Sequence, residues 1–417
     1  MSQPSPFPTR MSGSLAETLP SSHKAKTSVL KLAGCQALAM TGNSILFTVA
    51  ALIGASLLTD KSWATFPLAL LHLATLFTTI PASLWMARVG RKLGFAAGIG
   101  IGMAGAGLGT YAIFAGSFVG FCGAMLLLGC FNGFVGYYRF AAAELASDSF
   151  RSRAISWVVA GGVVAAVLGP QLATWTKDWF VEATFAGCLL TIILLQALSL
   201  PLLASVPLPP WPKTEGVGTG RPLGAIMRQP VFWVAVLGSM LGYGVMVLIM
   251  TSTPLAMVEH AFPFHQAAFV IQWHVLGMFA PSFITGALIV RFGLLNIILT
   301  GGILNIVCIT INLLGISLMH YWSALLLLGI GWNFMFVGST TLLTEAYTPA
   351  ERAKTQAAHD FLMFSSVAAS TLLSGGLLNR WGWQAVNWAG LPMILLAFGA
   401  ALWLQQERAR GPWSKPL

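Results

Sequence analysis

The sequence predicts an all-α membrane protein with twelve transmembrane helices, arranged as two six-helix pseudo-repeats. Three observations predict it. Of 417 residues, 56% are apolar and only 8% charged, against about 25% charged in a soluble domain, which leaves too little polar surface to face water on all sides. Twelve runs are long and apolar enough to cross a bilayer, each crossing needing about 20 residues. A four-point residue pattern also recurs at a single offset of 201 residues.

Taken in order, residues 1–29 are rich in Ser, Pro and Thr and are expected to form a disordered tail. The run 31–58 is too long for a signal peptide and lacks a small-residue cleavage site, so it reads as the first span. Five more spans follow at about 63–86, 93–115, 118–143, 154–176 and 182–205, completing a first half over 30–205. Residues 206–229 carry Pro207, Pro209, Pro210, Pro212, Gly216, Gly218 and Gly220, the composition of a linker between halves. The glycine run there lacks the GKS or GKT ending of a phosphate-binding loop. Spans at about 231–256, 265–290, 294–316, 321–346, 355–379 and 383–405 make the second half over 230–406, and 407–417 is a second tail.

A net charge of +10 raises the question of a nucleic-acid partner. The basic residues form no single patch, however. They fall in alternate connections: Lys24, Lys26 and Lys31; Arg88, Arg91 and Lys92; Arg151 and Arg153; Lys213, Arg221 and Arg228; Arg291; Arg352 and Lys354; Arg408, Arg410 and Lys415. The intervening connections hold little beyond Lys61, Lys177 and Arg380. That asymmetry places both termini and every second loop in the cytoplasm, and expects a multi-pass protein of the bacterial inner membrane with no nucleic-acid partner. The five cysteines all lie in apolar runs without a CxxC, which argues against a disulfide framework.

The halves echo one another. Asn132, Glu144, Arg151 and Arg153 are matched by Asn333, Glu345, Arg352 and Lys354, and Arg88-Val-Gly90 by Arg291-Phe-Gly293. Duplication of a six-span unit explains both. Six plus six spans, a central linker and these loop motifs resemble the major facilitator superfamily. The family's loop after the second span is present in its basic half, as Arg88, Gly90, Arg91 and Lys92. Its aspartate is replaced by Ala87 and its first glycine by Ser83. The segments Tyr138-Arg139-Phe140-Ala141-Ala142, Ala160-Gly161-Gly162 with Gly169-Pro170, and Asp360-Phe361 look like the branch that holds CcoA-type copper importers and RfnT-type riboflavin transporters. The CcoA-type members carry MxxxM in the seventh span and HxxxM in the eighth, and both stand here as Met246/Met250 and His274/Met278. The resemblance implies copper import across the inner membrane, with copper as transported substrate rather than cofactor, copper chaperones as downstream partners, and terminal-oxidase assembly as the destination.

The residues themselves suit that chemistry. Thioether and imidazole are neutral, soft donors of the kind that bind copper, and spacing i,i+4 puts each pair on one helix face. A rise of 1.5 Å per residue puts His274 roughly 15 Å into its span, near the midplane depth of Met246 and Met250. Met257 extends the methionine face outward, and His260 and His265 are candidates for an outer relay. Packing methionines, a structural histidine hydrogen bond and solvated loop histidines are the bland readings of the same residues.

Arg139 and Asp360 are charges within spans, readable as a gating pair, as proton coupling at Asp360, or as a packing pair that fixes register. Glu144 and Glu345, at inner helix ends before basic clusters, are expected to act as latches on the inner gate of an alternating-access symporter or uniporter, and Arg88 and Arg291, in the loops after the second and eighth spans, are further gating or coupling candidates. Riboflavin uptake on the same scaffold is the nearest rival, kept open by Trp273 and Tyr243. Drug or metabolite export is the third reading. No HExxH, GxSxG or nucleophile–base arrangement suggests an enzyme.

Overall fold

A computed structural model describes residues 22–147, 150–208 and 220–410. Helices dominate, and no strand occurs among the described residues. The first helix, α1 (Ser22–Ser56), begins earlier than expected, so the last eight residues of the predicted tail are helical. Residues 1–21, part of the linker (209–219) and residues 411–417 lie outside the described residues.

The first half continues through α2 (Phe66–Val89) and α3 (Arg91–Phe114). The fourth span is broken into α4 (Phe118–Val135) and α5 (Tyr138–Leu145), the fifth into α6 (Arg151–Val159) and α7 (Gly161–Thr176), and α8 (Ala186–Ala204) is the sixth. A short helix in the linker, α9 (Leu223–Met227), leads into α10 (Pro230–Glu259), the seventh span. The eighth span is bent by 46° between α11 (Phe264–Phe279) and α12 (Ser282–Phe292). Then come α13 (Leu294–Leu314), α14 (Leu318–Leu343) and α15 (Arg352–Arg410).

Among the described residues, ten helices are long and apolar enough to span a membrane, and the bent pair makes an eleventh. The 59 residues of α15 are interrupted at Gly382, where φ is +77, a conformation open to glycine at little cost. Divided at that break, α15 has the length of two crossings, which would bring the count to the expected twelve. The duplicated loop motif has a matching backbone cause: Gly90 and Gly293 both sit at φ +89, each ending one helix and starting the next.

Close packing within each half relies on small residues, as expected where lipid removes the hydrophobic drive between helices. A Cβ on Gly329 of α14 would lie 2.4 Å from the carbonyl oxygen of His274 on α11, and one on Gly129 of α4 would lie 2.3 Å from that of Leu71 on α2. The halves meet chiefly through α7 against α11, α2 against α15 and α1 against α10. Asn379 Nδ2 donates to Ser62 Oγ at 2.8 Å, the Gly375 amide to Thr65 Oγ1 at 3.2 Å and Gln171 Nε2 to Gln272 Oε1 at 2.9 Å. Ser62 and Asn379 belong to the connections poor in basic residues, so this seam lies at the end opposite the basic loops. Ion pairs described at the basic end stay within a half or tie it to the linker: Arg91 with Glu144, Arg221 with Glu351, and Arg408 with Glu345.

Candidate functional site

The predicted metal donors are buried together. Met246, Met250, Met257 and Met278 belong to one apolar cluster of the second half, with exposures of 1%, 2%, 0% and 6%. His274, one turn before Met278, is fully buried. Its Nδ1 lies 2.8 Å from the Leu325 carbonyl oxygen; in the neutral ring Nδ1–H donates there, leaving Nε2 as a bare lone pair. That Nε2 is buried without a hydrogen-bond partner. The bland reading of His274 is therefore half satisfied: one nitrogen has a structural bond and the other has none.

The outer relay candidates are dispersed in role. His260 Nδ1 engages Tyr321 Oη at 2.8 Å, and His265 is exposed beside a crevice it lines with Gln171, Thr174 and Gln266. Among the described residues no cluster of three or more His, Cys, Asp or Glu could hold a metal.

The charged candidates are placed as follows by the structure. Glu144 pairs with Arg91 and Glu345 with Arg408 at 2.6 Å, each inside its own half, so neither bridges the halves here. Arg88 is exposed, and the Arg291 guanidinium lies over the Phe292 ring, 5.2 Å from its centroid. Arg139 and Asp360 are both exposed, and no ion pair joins them among the described contacts, although the field of Asp360 reaches Arg139. Arg139 instead covers the Phe140 ring at 4.8 Å.

Sequence reasoning missed a group of five aromatic rings drawn from four helices of the second half. Trp332 and Phe336 on α14 are stacked, 5.0 Å between centroids and 9° between planes. Tyr243 on α10 stands edge-on to both, at 5.2 and 5.9 Å, and reaches Phe364 on α15 at 6.4 Å. Phe279, at the break of the eighth span, meets Trp332 at 6.4 Å. The other half touches the group: a Cβ on Gly162 of α7 would lie 2.8 Å from the Phe279 ring. Trp332 is 6% exposed and its Nε1–H has no partner, which costs free energy unless something accepts from it. On the first half, Asn43 and Asn132 exchange paired amide hydrogen bonds at 3.0 Å. Asn43 lies one turn from Phe47, which packs into the methionine cluster of the second half.

His72 was also missed. It is buried in α2, stacked on Phe47 at 6.2 Å, with its Nε2 unpartnered. The rule that singled out His274, an ionisable side chain inside a span, would have found it.

Comparison with known proteins places the chain. The family model described as Major Facilitator Superfamily matches residues 32–371. The chain is 41% identical over 374 residues to the riboflavin transporter RfnT of Brucella anthropi, covering 89% of this chain and 94% of that protein. It is 27% identical over 378 residues to the uncharacterized MFS-type transporter YddS of Bacillus subtilis, covering 85% and 86%. A solved bacterial homologue of the human lysosomal transporter Spinster, inward-facing and unoccupied, superposes with a TM-score of 0.71 at 15% identity, covering 93% of this chain and 98% of that one. The nucleoside transporter NupG gives 0.66 at 14%, covering 91% and 98%. These last two likenesses concern the fold. Copper import, implied above by the paired motifs, finds no support among these relatives. A bundle of long apolar helices in two related halves, a matching family model and a 41%-identical relative lead to one conclusion: the chain belongs to the major facilitator superfamily and is a multi-pass secondary transporter.

Proposed function

We propose that this transporter takes up riboflavin or a close flavin analogue across the bacterial cytoplasmic membrane by alternating access. The observation that carries the reading is the 41% identity with a riboflavin transporter over nearly the whole of both chains. The aromatic group supports it chemically. A planar, uncharged heteroaromatic ring system gains from offset or edge contacts with aromatic faces, and the free Trp332 Nε1–H offers a donor to a ring carbonyl. The Asn43 and Asn132 amides suit a hydroxylated side chain. The positive-inside pattern puts both termini and the basic loops in the cytoplasm. With the seam closed at the opposite end, the described conformation is then the one that opens inward. Expression in a bacterium that cannot make riboflavin, and lacks its own uptake system, tests the reading: growth on low external riboflavin supports it, and failure to grow despite protein in the membrane counts against it.

A second reading, copper import through Met246, Met250, His274 and Met278, is favoured by one observation, the buried Nε2 of His274 left without a hydrogen-bond partner. Against it, none of the relatives above is described as a copper transporter. Methionine at this density also serves as adaptable packing.

A further inference from the structure

The crevice beside His265 is used by neither reading. It encloses about 320 Å³ at the end opposite the basic loops, where α7 of the first half meets α11 of the second. Gln171 and Thr174 reach it from α7, and His265, Gln266 and Phe269 from α11. Its size falls in the range of small-molecule pockets, about 300–1,000 Å³. Among the described residues no Asp, Glu, Lys or Arg lines it, so a charged guest would find no fixed counter-charge there. Lys177 and Asp178, just beyond the end of α7, pair with each other.

Uncharged hydrogen-bonding groups are plentiful instead. Gln171 Nε2 donates to Gln272 Oε1 at 2.9 Å across the seam. That bond leaves Gln171 its carbonyl oxygen and a second N–H, and leaves Gln272 both of its N–H groups. The Thr174 hydroxyl donates to the Pro170 carbonyl at 2.9 Å and so offers its lone pairs. The Gln266 side-chain amide enters no described hydrogen bond. Donors and acceptors therefore stand side by side on both halves. A row of hydroxyls, each able to give one hydrogen bond and accept others, matches such a mixture.

An aromatic wall adjoins these amides. Phe269 is 42% exposed and meets Trp273 edge-on at 6.3 Å, and Trp273 meets Trp322 of α14 edge-on at 5.8 Å. Both indole N–H groups lack a partner, as does that of Trp332 in the inner group. Trp322 precedes Trp332 on the same helix, and the ten residues between them amount to about 15 Å of rise. The outer wall thus repeats, further along α14, the ring faces and unspent indole N–H groups of the inner one.

We propose that this crevice is an outer docking site for the transported substrate. The ring of an uncharged flavin lies against Phe269, and its hydroxylated chain runs along Gln171, Thr174 and Gln266. The proposal rests on the flavin reading and adds a second place at which the substrate is held. A guest in the crevice touches both α7 and α11 while the seam is still closed. Its hydroxyls make the polar contacts, so a flavin ring lacking that chain is held by the aromatic wall alone.

The test uses cells expressing the full chain, with initial rates of labelled riboflavin uptake as the readout. Lumiflavin, which carries the same ring with a methyl group in place of the hydroxylated chain, serves as the competing inhibitor. The double variant Thr174→Val, Gln266→Leu should raise the KM for riboflavin at least threefold, with the maximal rate per transporter and the inhibition constant of lumiflavin both unchanged. Phe269→Leu, an exposed position, should raise the KM and the lumiflavin constant together, and serves if the double variant does not reach the membrane. A smaller rise in KM in a membrane-inserted variant overturns the proposal and leaves the flavin reading standing. So does a lumiflavin constant that rises in step with KM in the double variant, or a wild type that lumiflavin does not inhibit. A wild type that takes up no riboflavin removes both.

Discussion

Trp332 lies flat against Phe336, one helical turn along α14, with ring planes 9° apart and the indole N–H left without an acceptor. Tyr243 closes the edge of that stack from α10. A wall of this kind presents a π face and one donor, the requirements of a planar heteroaromatic guest.

Replacing Trp332 by Leu keeps an apolar side chain but removes the stacking face and the donor. Aromatic pairing of this kind contributes about 0.5–1.5 kcal/mol beyond area, and a lost donor adds about as much. Riboflavin uptake should show a KM raised roughly tenfold or more, with the protein at normal abundance in the membrane. Kinetics of labelled riboflavin entry into cells expressing each form check this.

The contact of α11 with α14 has no room for a side chain at Gly329, whereas a Cβ at Gly100 meets nothing within 4 Å. Gly329→Val should therefore destabilise the protein by about 1–3 kcal/mol more than Gly100→Val, the intrinsic cost of a β-branched residue being common to both. Thermal unfolding of the two variants in detergent measures the difference. Equal midpoints would remove the close approach from the explanation.

At the seam opposite the basic loops, a Cβ on Gly375 would lie 2.8 Å from Thr65 Oγ1, which brings it near the 3.5–4.5 Å Cβ separation of a disulfide from the Thr65 Cβ. The double variant Thr65→Cys, Gly375→Cys should crosslink under mild oxidation and stop transport, with recovery on reduction. A crosslinked protein that still transports at the unoxidised rate would show that these ends need not part.

Outside the spans, the Arg221 guanidinium donates to both oxygens of Glu351, at 2.8 Å each, and the Thr348 amide adds a third bond at 2.9 Å. These bonds, the Arg221 pair first, hold the Glu351 carboxyl well below the usual carboxylate range. A depressed folded-state pKa means the stabilisation is full above the unfolded value of about 4.3 and fades as pH falls towards the folded one. The midpoint difference between wild type and Glu351→Gln should be largest at pH 6 and shrink steadily below about pH 4. A difference that grows on acidification would reverse the sign assigned here.

Much of the architecture could be read from the chain because bilayer crossing imposes a length and a hydropathy that each span declares alone. The duplication was legible for the same local reason, and Gly90 and Gly293 match it with the same φ of +89. Equivalent positions nevertheless diverge in role. Asn132 ties α4 to Asn43 of α1, whereas Asn333 braces the break of the eighth span, donating to the Met278 carbonyl at 2.7 Å and to Ser282 Oγ at 2.6 Å. The breaks of the fourth, fifth and eighth spans were not legible, since hydropathy runs through them unchanged. Nor was the aromatic group. Its five members come from four helices, and only packing of those helices brings Tyr243, Phe279, Trp332, Phe336 and Phe364 together. The i,i+4 motifs drew attention to Met246, Met250, His274 and Met278 because a motif on one helix is visible in sequence, whereas a site shared among helices is not.

Purified protein in liposomes, offered labelled riboflavin and radioactive copper in parallel, tests the flavin reading most directly. It should accumulate riboflavin saturably, lose that accumulation when Trp332 and Tyr243 are both replaced by Leu, and accumulate no copper above empty liposomes. Copper uptake that depends on His274, without riboflavin uptake, would contradict the flavin reading and restore the methionine–histidine site as the centre of function.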